Sequence, residues 1–218
     1  MSAPEVATLL PAQLPQSAKD VTDASAIDVL KPWSEPRHFI QSPYTELKHQ
    51  LDLATLDYEN ALFAKALASL DATRDDYATA PYAESFNWDR VLSNLKALVR
   101  VYGEPFRESS FYIVAFRSQI KPSTDYSHLG ELDKAAHLEA VESGGFLKYW
   151  FGSPDPELRN LATCVWRSRE DAMAGGRGPA HKKAAMSTRS LYAYWKIDQH
   201  RLIIRKNVED WELVPWTD

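Results

Sequence analysis

The pattern of apolar and polar positions changes its period once along this chain. In the first half, apolar side chains recur every three or four positions, at Leu47, Leu51, Ala54, Tyr58, Ala61, Leu62, Ala66 and Leu70. That spacing lines one face of a helix. Ser42-Pro43 offers an N-cap and a first-turn proline, so one long amphipathic helix is expected over 43–70. A second is expected over 87–102, where Trp88, Val91, Leu92, Leu95, Leu98, Val99 and Tyr102 form the stripe and Gly103 and Pro105 end it.

From Ser110 the period is two. The run 111–120 (FYIVAFRSQI) sets Tyr112, Val114 and Phe116 on one side and Phe111, Ile113, Ala115 and Arg117 on the other, which is a strand. A helix through Leu129, Leu132, Ala136 and Ala140 ends at Gly144-Gly145. The runs 146–151 (FLKYWF) and 161–166 (LATCVW) read as two more strands around the turn SPDPE. Ser168, with Asp171 three residues on, is a capping-box pattern. It opens a helix that Gly175, Gly176, Gly178 and Pro179 interrupt and that resumes over 180–190. The run 192–197 (YAYWKI) gives a fourth strand, and 202–205 an extra strand or extension.

The order βαββαβ predicts an α+β, ferredoxin-like fold preceded by a two-helix extension. The expected division is a mobile tail over 1–41, partly docked through 27–40, a helical extension over 42–104, and the α+β domain with a C-terminal extension over 105–218. Each strand carries large apolar groups on both faces, such as Phe111 and Tyr112 or Val165 and Trp166. Both helices of such a unit lie on one side of the sheet. The other side must therefore be covered, by a second copy or by the N-terminal helices, because an open apolar face of that size is unusual in a monomer.

Composition narrows the setting. With 44% apolar and 25% charged residues the chain is an ordinary globular one. A net charge of -5 supplies no clustered basic surface for phosphates, so nucleic acid is not an expected partner. Cys164 is the only cysteine, so no intrachain disulfide can form. No run approaches the roughly 20 apolar residues of a membrane span, and the first ten residues lack a secretory pattern. A cytoplasmic protein without a membrane partner is expected.

The segments GFLKYWFG at 145–152, VWRSREDAMAGGRGPAHKKAA at 165–185 and LYAYWKI at 191–197 are similar to the spheroidene-monooxygenase-like branch of the antibiotic-biosynthesis-monooxygenase-like dimeric α+β barrels. The whole chain, including YAESFNWDRVL at 82–92, resembles a family of uncharacterised fungal proteins. The barrel resemblance implies a homodimer and an aromatic-lined pocket between sheet and helices. It further implies a small hydrophobic or aromatic molecule as partner, handled by cofactor-free oxygenation, isomerisation or dehydration. A haem-dependent relative and a non-catalytic binding or assembly protein are the alternatives.

Several side chains are candidates for the chemistry. His181 follows a glycine-rich break and opens a helix. The resemblance implies a pocket base or haem ligand there, while a histidine at a helix start can also simply hydrogen-bond to its surroundings. Arg117 sits in an otherwise apolar strand and needs an acceptor, either an acidic substrate group or an internal carboxylate. His128 is a third candidate for the pocket. Tyr126, His128 and His137 are spaced by two and nine, not by the i, i+4 of helical metal ligands, so no metal is expected. Tyr149, Trp150, Trp166, Tyr194 and Trp195 can line a pocket, or serve as core and interface. Cys164 reads as a small inward hydrophobe. The loop GGRGP at 175–179 lacks the preceding strand and the Lys-Ser/Thr ending of a phosphate loop, and reads as a lid or helix break.

Overall fold

Residues 43–70 do not form the single helix that their spacing predicts. In the computed structural model, which describes residues 37–217, Asp52 accepts a hydrogen bond from the Ala54 N–H at 3.0 Å and Asp57 one from the Asn60 N–H at 3.1 Å. A side chain that caps the backbone locally competes with helix continuation. The segment therefore breaks into 3-10 turns at Leu47–His49 and Leu53–Thr55, with a small ladder of β1 (His38–Phe39) on β2 (Leu51–Asp52). Helix α1 (Tyr58–Ala66) begins only after Asp57. It is buried on nearly every side, Glu59 and Lys65 included. A helix of that kind carries no one-sided stripe. The Glu59 carboxylate is satisfied by Arg107, at 2.7 and 2.8 Å.

A short turn of helix, α2 (Tyr82–Ser85), leads into α3 (Trp88–Tyr102), which runs as its stripe predicts and ends where Gly103 takes a positive φ of 74°. Of the docked tail expected over 27–40, Phe39 packs on the core; residues 1–36 lie outside the described residues.

The second half follows the expected order: β3 (Ser109–Ile120), α4 (Tyr126–Ser143), β4 (Phe146–Phe151), β5 (Arg159–Trp166), α5 (Arg169–Gly175), α6 (Pro179–Leu191) and β6 (Tyr192–Ile204). The sheet order is β4-β5-β3-β6-β7 with antiparallel neighbours throughout. Its first four strands have the arrangement of a ferredoxin-like βαββαβ unit. Two details differ from expectation. β6 does not stop at 197 and restart at 202; it stays paired with β3 from Gln119↔Tyr194 to Ser109↔Ile204. A fifth strand, β7 (Trp211–Pro215), is added at its far end.

On one face of the sheet, Phe111, Ile113 and Ala115 of β3, Leu161 and Val165 of β5, and Leu202 and Ile204 of β6 are sealed into one core with Leu62, Phe63, Leu95 and Leu98. Phe63 and Phe111 lie 4.1 Å apart, ring centre to ring centre. The N-terminal helices therefore supply the cover that this face requires. Face-to-face packing of two sheets, the homodimer implied by the resemblance, has no open face here. Among the described residues no helix is long and apolar enough to cross a membrane.

Candidate functional site

The opposite face of the sheet lies under α4, α5 and α6 and is sealed only in part. Cross-strand register places Tyr112 beside Trp166, Val114 beside Cys164, and Phe116 beside Ala162. Directly opposed residues share a face. Tyr112 and Trp166 are buried, with Phe146, Ala140 and the Trp216 ring around them. Val114, Phe116, Ala162 and Cys164 stay partly accessible, although they occupy the two central strands. The cause is α6, which buries only Leu191 and turns Ala180, Ala184 and Ser187 toward half-buried surroundings. A hollow of about 240 Å³ lies between α4 and α6, lined by His128, Leu132, Pro179, Ala180 and Lys183.

Polar groups collect at this gap. Asp133 of α4 accepts from the Tyr44 hydroxyl through Oδ2 and from the Tyr149 hydroxyl through Oδ1, both at 2.5 Å. Burial raises the Asp133 carboxyl above its usual range, with the two phenols opposing the shift. Asp133 adds to the burial that raises Cys164 and Tyr192. Burial, followed by Asp133, pushes the Cys164 thiol up to about 12. Behind Tyr149, the Nδ1 atoms of His49 and His137 meet at 2.9 Å, and neither Nε2 has a partner. Burial and then the neighbouring His49 hold His137 down at about 3. No three His, Cys, Asp or Glu side chains converge as metal ligands among the described residues.

The candidates from the sequence are dispersed over this frame. His181 opens α6, its Nδ1 2.7 Å from Glu139 Oε2, and its backbone N–H donates to the same oxygen at 2.9 Å. His128 is exposed on α4 at the hollow. Arg117 points through the other face. Its guanidinium donates to the carbonyls of Ala78 (2.6 Å), Ala80 (2.7 Å) and Tyr77 (3.2 Å) and pairs with Asp198 at 3.2 Å. The sheet thus separates Arg117 from the two histidines.

Of the five aromatics, Tyr149 and Trp166 face the helix side. Trp150 belongs to the sealed core and meets Tyr77 and Phe86 edge-on. Trp195 stacks near Phe116, 6.0 Å between ring centres, at the outer end of the open floor, whereas Tyr194 points to the other face.

Asp133, Glu139, Tyr44 and His49 were not foreseen. Asp133 had a faint signal, a carboxylate within the apolar stripe of Leu129, Leu132, Ala136 and Ala140. Tyr44 and His49 had none, since both fell inside the expected long helix.

Residues 40–215 match the family described as PB2B2.08-like. UPF0643 protein PB2B2.08 of Schizosaccharomyces pombe is 41% identical over 174 residues, covering 75% of this chain and 78% of that protein. Among solved structures, SnoaB, a cofactor-independent oxygenase from Streptomyces nogalater, is similar with a TM-score of 0.35 and 11% identity over 42% of this chain and 90% of its own. PA3566 from Pseudomonas aeruginosa is similar with a TM-score of 0.32 and 17% identity over 42% of this chain and 92% of its own. The fungal family that the sequence resembles is the one that matches.

Proposed function

The chain belongs to the PB2B2.08-like family, and we propose that it binds a compact, largely apolar molecule over the open floor of its sheet and shuttles a proton on it. The observation that carries this reading is the accessibility of Val114, Phe116, Ala162 and Cys164 at the centre of a sheet already overlaid by three helices. Central strands are normally sealed, and an apolar floor with a few converging polar groups is the usual make-up of a small-molecule site.

The proton-transfer group is His181. With its Nδ1–H directed at Glu139, the neutral ring keeps the Nε2 lone pair for a ligand, and the carboxylate fixes both tautomer and orientation. Such a base can take a proton from a carbon beside a carbonyl and return it elsewhere, which is isomerisation or, with loss of hydroxide, dehydration. Asp133, held by Tyr44 and Tyr149, is the second polar group at the gap.

The same histidine, hydrogen-bonded to a carboxylate, would suit an axial haem ligand. A Soret band in haem-supplemented protein, lost in His181→Ala, would favour that reading.

Native mass spectrometry of the purified protein tests the binding half, together with a 2-naphthol titration of the wild type and of Cys164→Trp, whose indole fills the floor. Saturable binding lost in Cys164→Trp at unchanged melting temperature is the expected result. Absence of any co-purified compound and of naphthol binding would overturn the reading. A bound metabolite turned over equally well by His181→Ala would remove the assignment of the base.

A further inference from the structure

The outer edge of β6 is only half used. β7 pairs with it from His200↔Pro215 to Ile204↔Trp211, and the Trp216 N–H adds a bond to the Gln199 carbonyl at 2.9 Å. Among the described residues nothing pairs with that edge over 192–198. Residues 193–197 are all exposed, and they include Tyr194 (53%), Trp195 (45%) and Ile197 (47%). A free, proline-free strand edge rich in aromatics is a template for another strand, and folded proteins seldom leave one uncovered.

Register identifies what fits. In an antiparallel ladder a residue sends both its N–H and its C=O to one neighbour, and the next residue sends both to the other. The Gln199 carbonyl points outward, toward the β7 side. Counting back by two, Ile197 and Trp195 also present their backbone groups outward, while 194, 196 and 198 serve β3; the ladder then slips at a bulge, with Gln119 opposite Tyr194 and Ile120 opposite Tyr192. Trp195 is thus the last regular outward residue before the bulge.

We infer that the chain dimerises by pairing this edge with that of a second copy, antiparallel, about a two-fold axis at Trp195. Trp195 then exchanges both bonds with the partner's Trp195, and the partner's Ile197 lies opposite the bulge at Ala193. Tyr194 faces the partner's Lys196, so no like charges oppose each other. A two-fold at Ile197 is barred, because it would set Trp195 against the partner's Gln199, whose carbonyl already serves Trp216. One at Ala193 would set Trp195 against Leu191, which is the end of α6. Self-complementarity in hydrogen bonding, side chains and available length singles out a second copy over an unrelated strand.

This assembly differs from face-to-face sheet packing and stands independently of the proposed chemistry. Because Trp195 lies beside Phe116, the partner's Trp195 would also border the outer end of the open floor.

Light scattering coupled to size exclusion should give twice the 24.7 kDa chain mass for the wild type. Trp195→Lys, which opposes two like charges on the axis, and Ile197→Pro, which deletes an outward N–H without touching the β3 ladder, should each halve the mass with the circular-dichroism melt retained. Trp195→Cys should form a disulfide-linked dimer on mild oxidation, since hydrogen-bonded opposed residues lie about 5.5 Å apart at Cα, within disulfide range. Ala193→Cys, opposed to Ile197, should not. The cross-link decides the matter even if one of the other variants fails to fold. A dimer that survives both substitutions and does not cross-link at 195 uses another surface, and overturns the inference. So does a monomeric wild type, and slow hydrogen exchange at 193–197 in that monomer would assign the edge to another segment of the same chain.

Discussion

A single oxygen of Glu139 holds His181 twice, accepting its backbone N–H at 2.9 Å and meeting its Nδ1 at 2.7 Å. The other oxygen takes the Ala180 N–H at 3.2 Å. Helix α6 starts at Gly178, which has no side chain to act as a cap, so a carboxylate from α4 satisfies the free amides of its first turn. The approach requires a glycine, because a Cβ at Gly178 would lie 1.7 Å from Glu139 Oε1. Capping and orientation of the proposed base are therefore one interaction.

Glu139→Ala removes this cap and should destabilise the protein by about 1 kcal/mol, with a larger loss in any His181-dependent turnover. Gly178→Ala should do the same while leaving every charged group in place. Thermal melts and turnover measured side by side check both. Full activity in Gly178→Ala would show that the Glu139 contact is structural only.

Arg117→Ala leaves the carbonyls of Ala78 and Ala80 without their side-chain donor and leaves the Asp198 carboxylate to Lys196 alone. A loss of about 2–4 kcal/mol is expected, by denaturant titration, for a half-buried hub of charge-assisted bonds. Lysine should rescue little, since it lacks the fork that spans several acceptors. An unchanged midpoint with weakened ligand binding would instead assign Arg117 to a substrate.

The folded state holds His137 at about 3 against an ordinary 6.5. Its unfolded form binds the proton more readily, so the contribution to stability is complete above about pH 6.5 and is lost as pH falls toward 3. Stability should drop by up to about 1.4 kcal/mol per pH unit in this window, and His137→Phe should flatten the slope. Chemical denaturation at a series of pH values gives both curves.

Lys148 of β4 is buried with no hydrogen-bonded or ionic partner among the described residues, and burial lowers it to about 8, with Asp71 opposing. Below that pH the folded state carries a charge that the unfolded chain hydrates more easily. Lys148→Met should therefore stabilise the protein at pH 7 by about 1–3 kcal/mol, with the gain shrinking above pH 8. An unchanged or lower midpoint at pH 7 would contradict this.

Cys164 is partly accessible, yet its thiol is pushed up to about 12. Reaction with a disulfide reagent should be slow at pH 7 and rise about tenfold per pH unit toward that value, because the thiolate is the nucleophile. Fast labelling at neutral pH would show that the floor is more open and more polar than its lining indicates.

The sequence by itself determined the strands, α3 and the βαββαβ order. Alternation in 111–120 and 146–151 and the stripe from Trp88 to Tyr102 are relations between residues a few positions apart, which local backbone geometry turns directly into elements. The two-faced apolarity of the strands also determined that both sides of the sheet would be covered. Tertiary structure decided everything that joins distant positions: the break in 43–70 around Asp52 and Asp57, the burial of α1 on all sides, and the division of Tyr149 from Trp150 and of His181 from Arg117 by the sheet. The candidate site rests on pairs such as Tyr44 with Asp133, His49 with His137, and Glu139 with His181. Periodicity carries no information about such pairs, because each exists only once helix and sheet have packed and their polar groups have lost water.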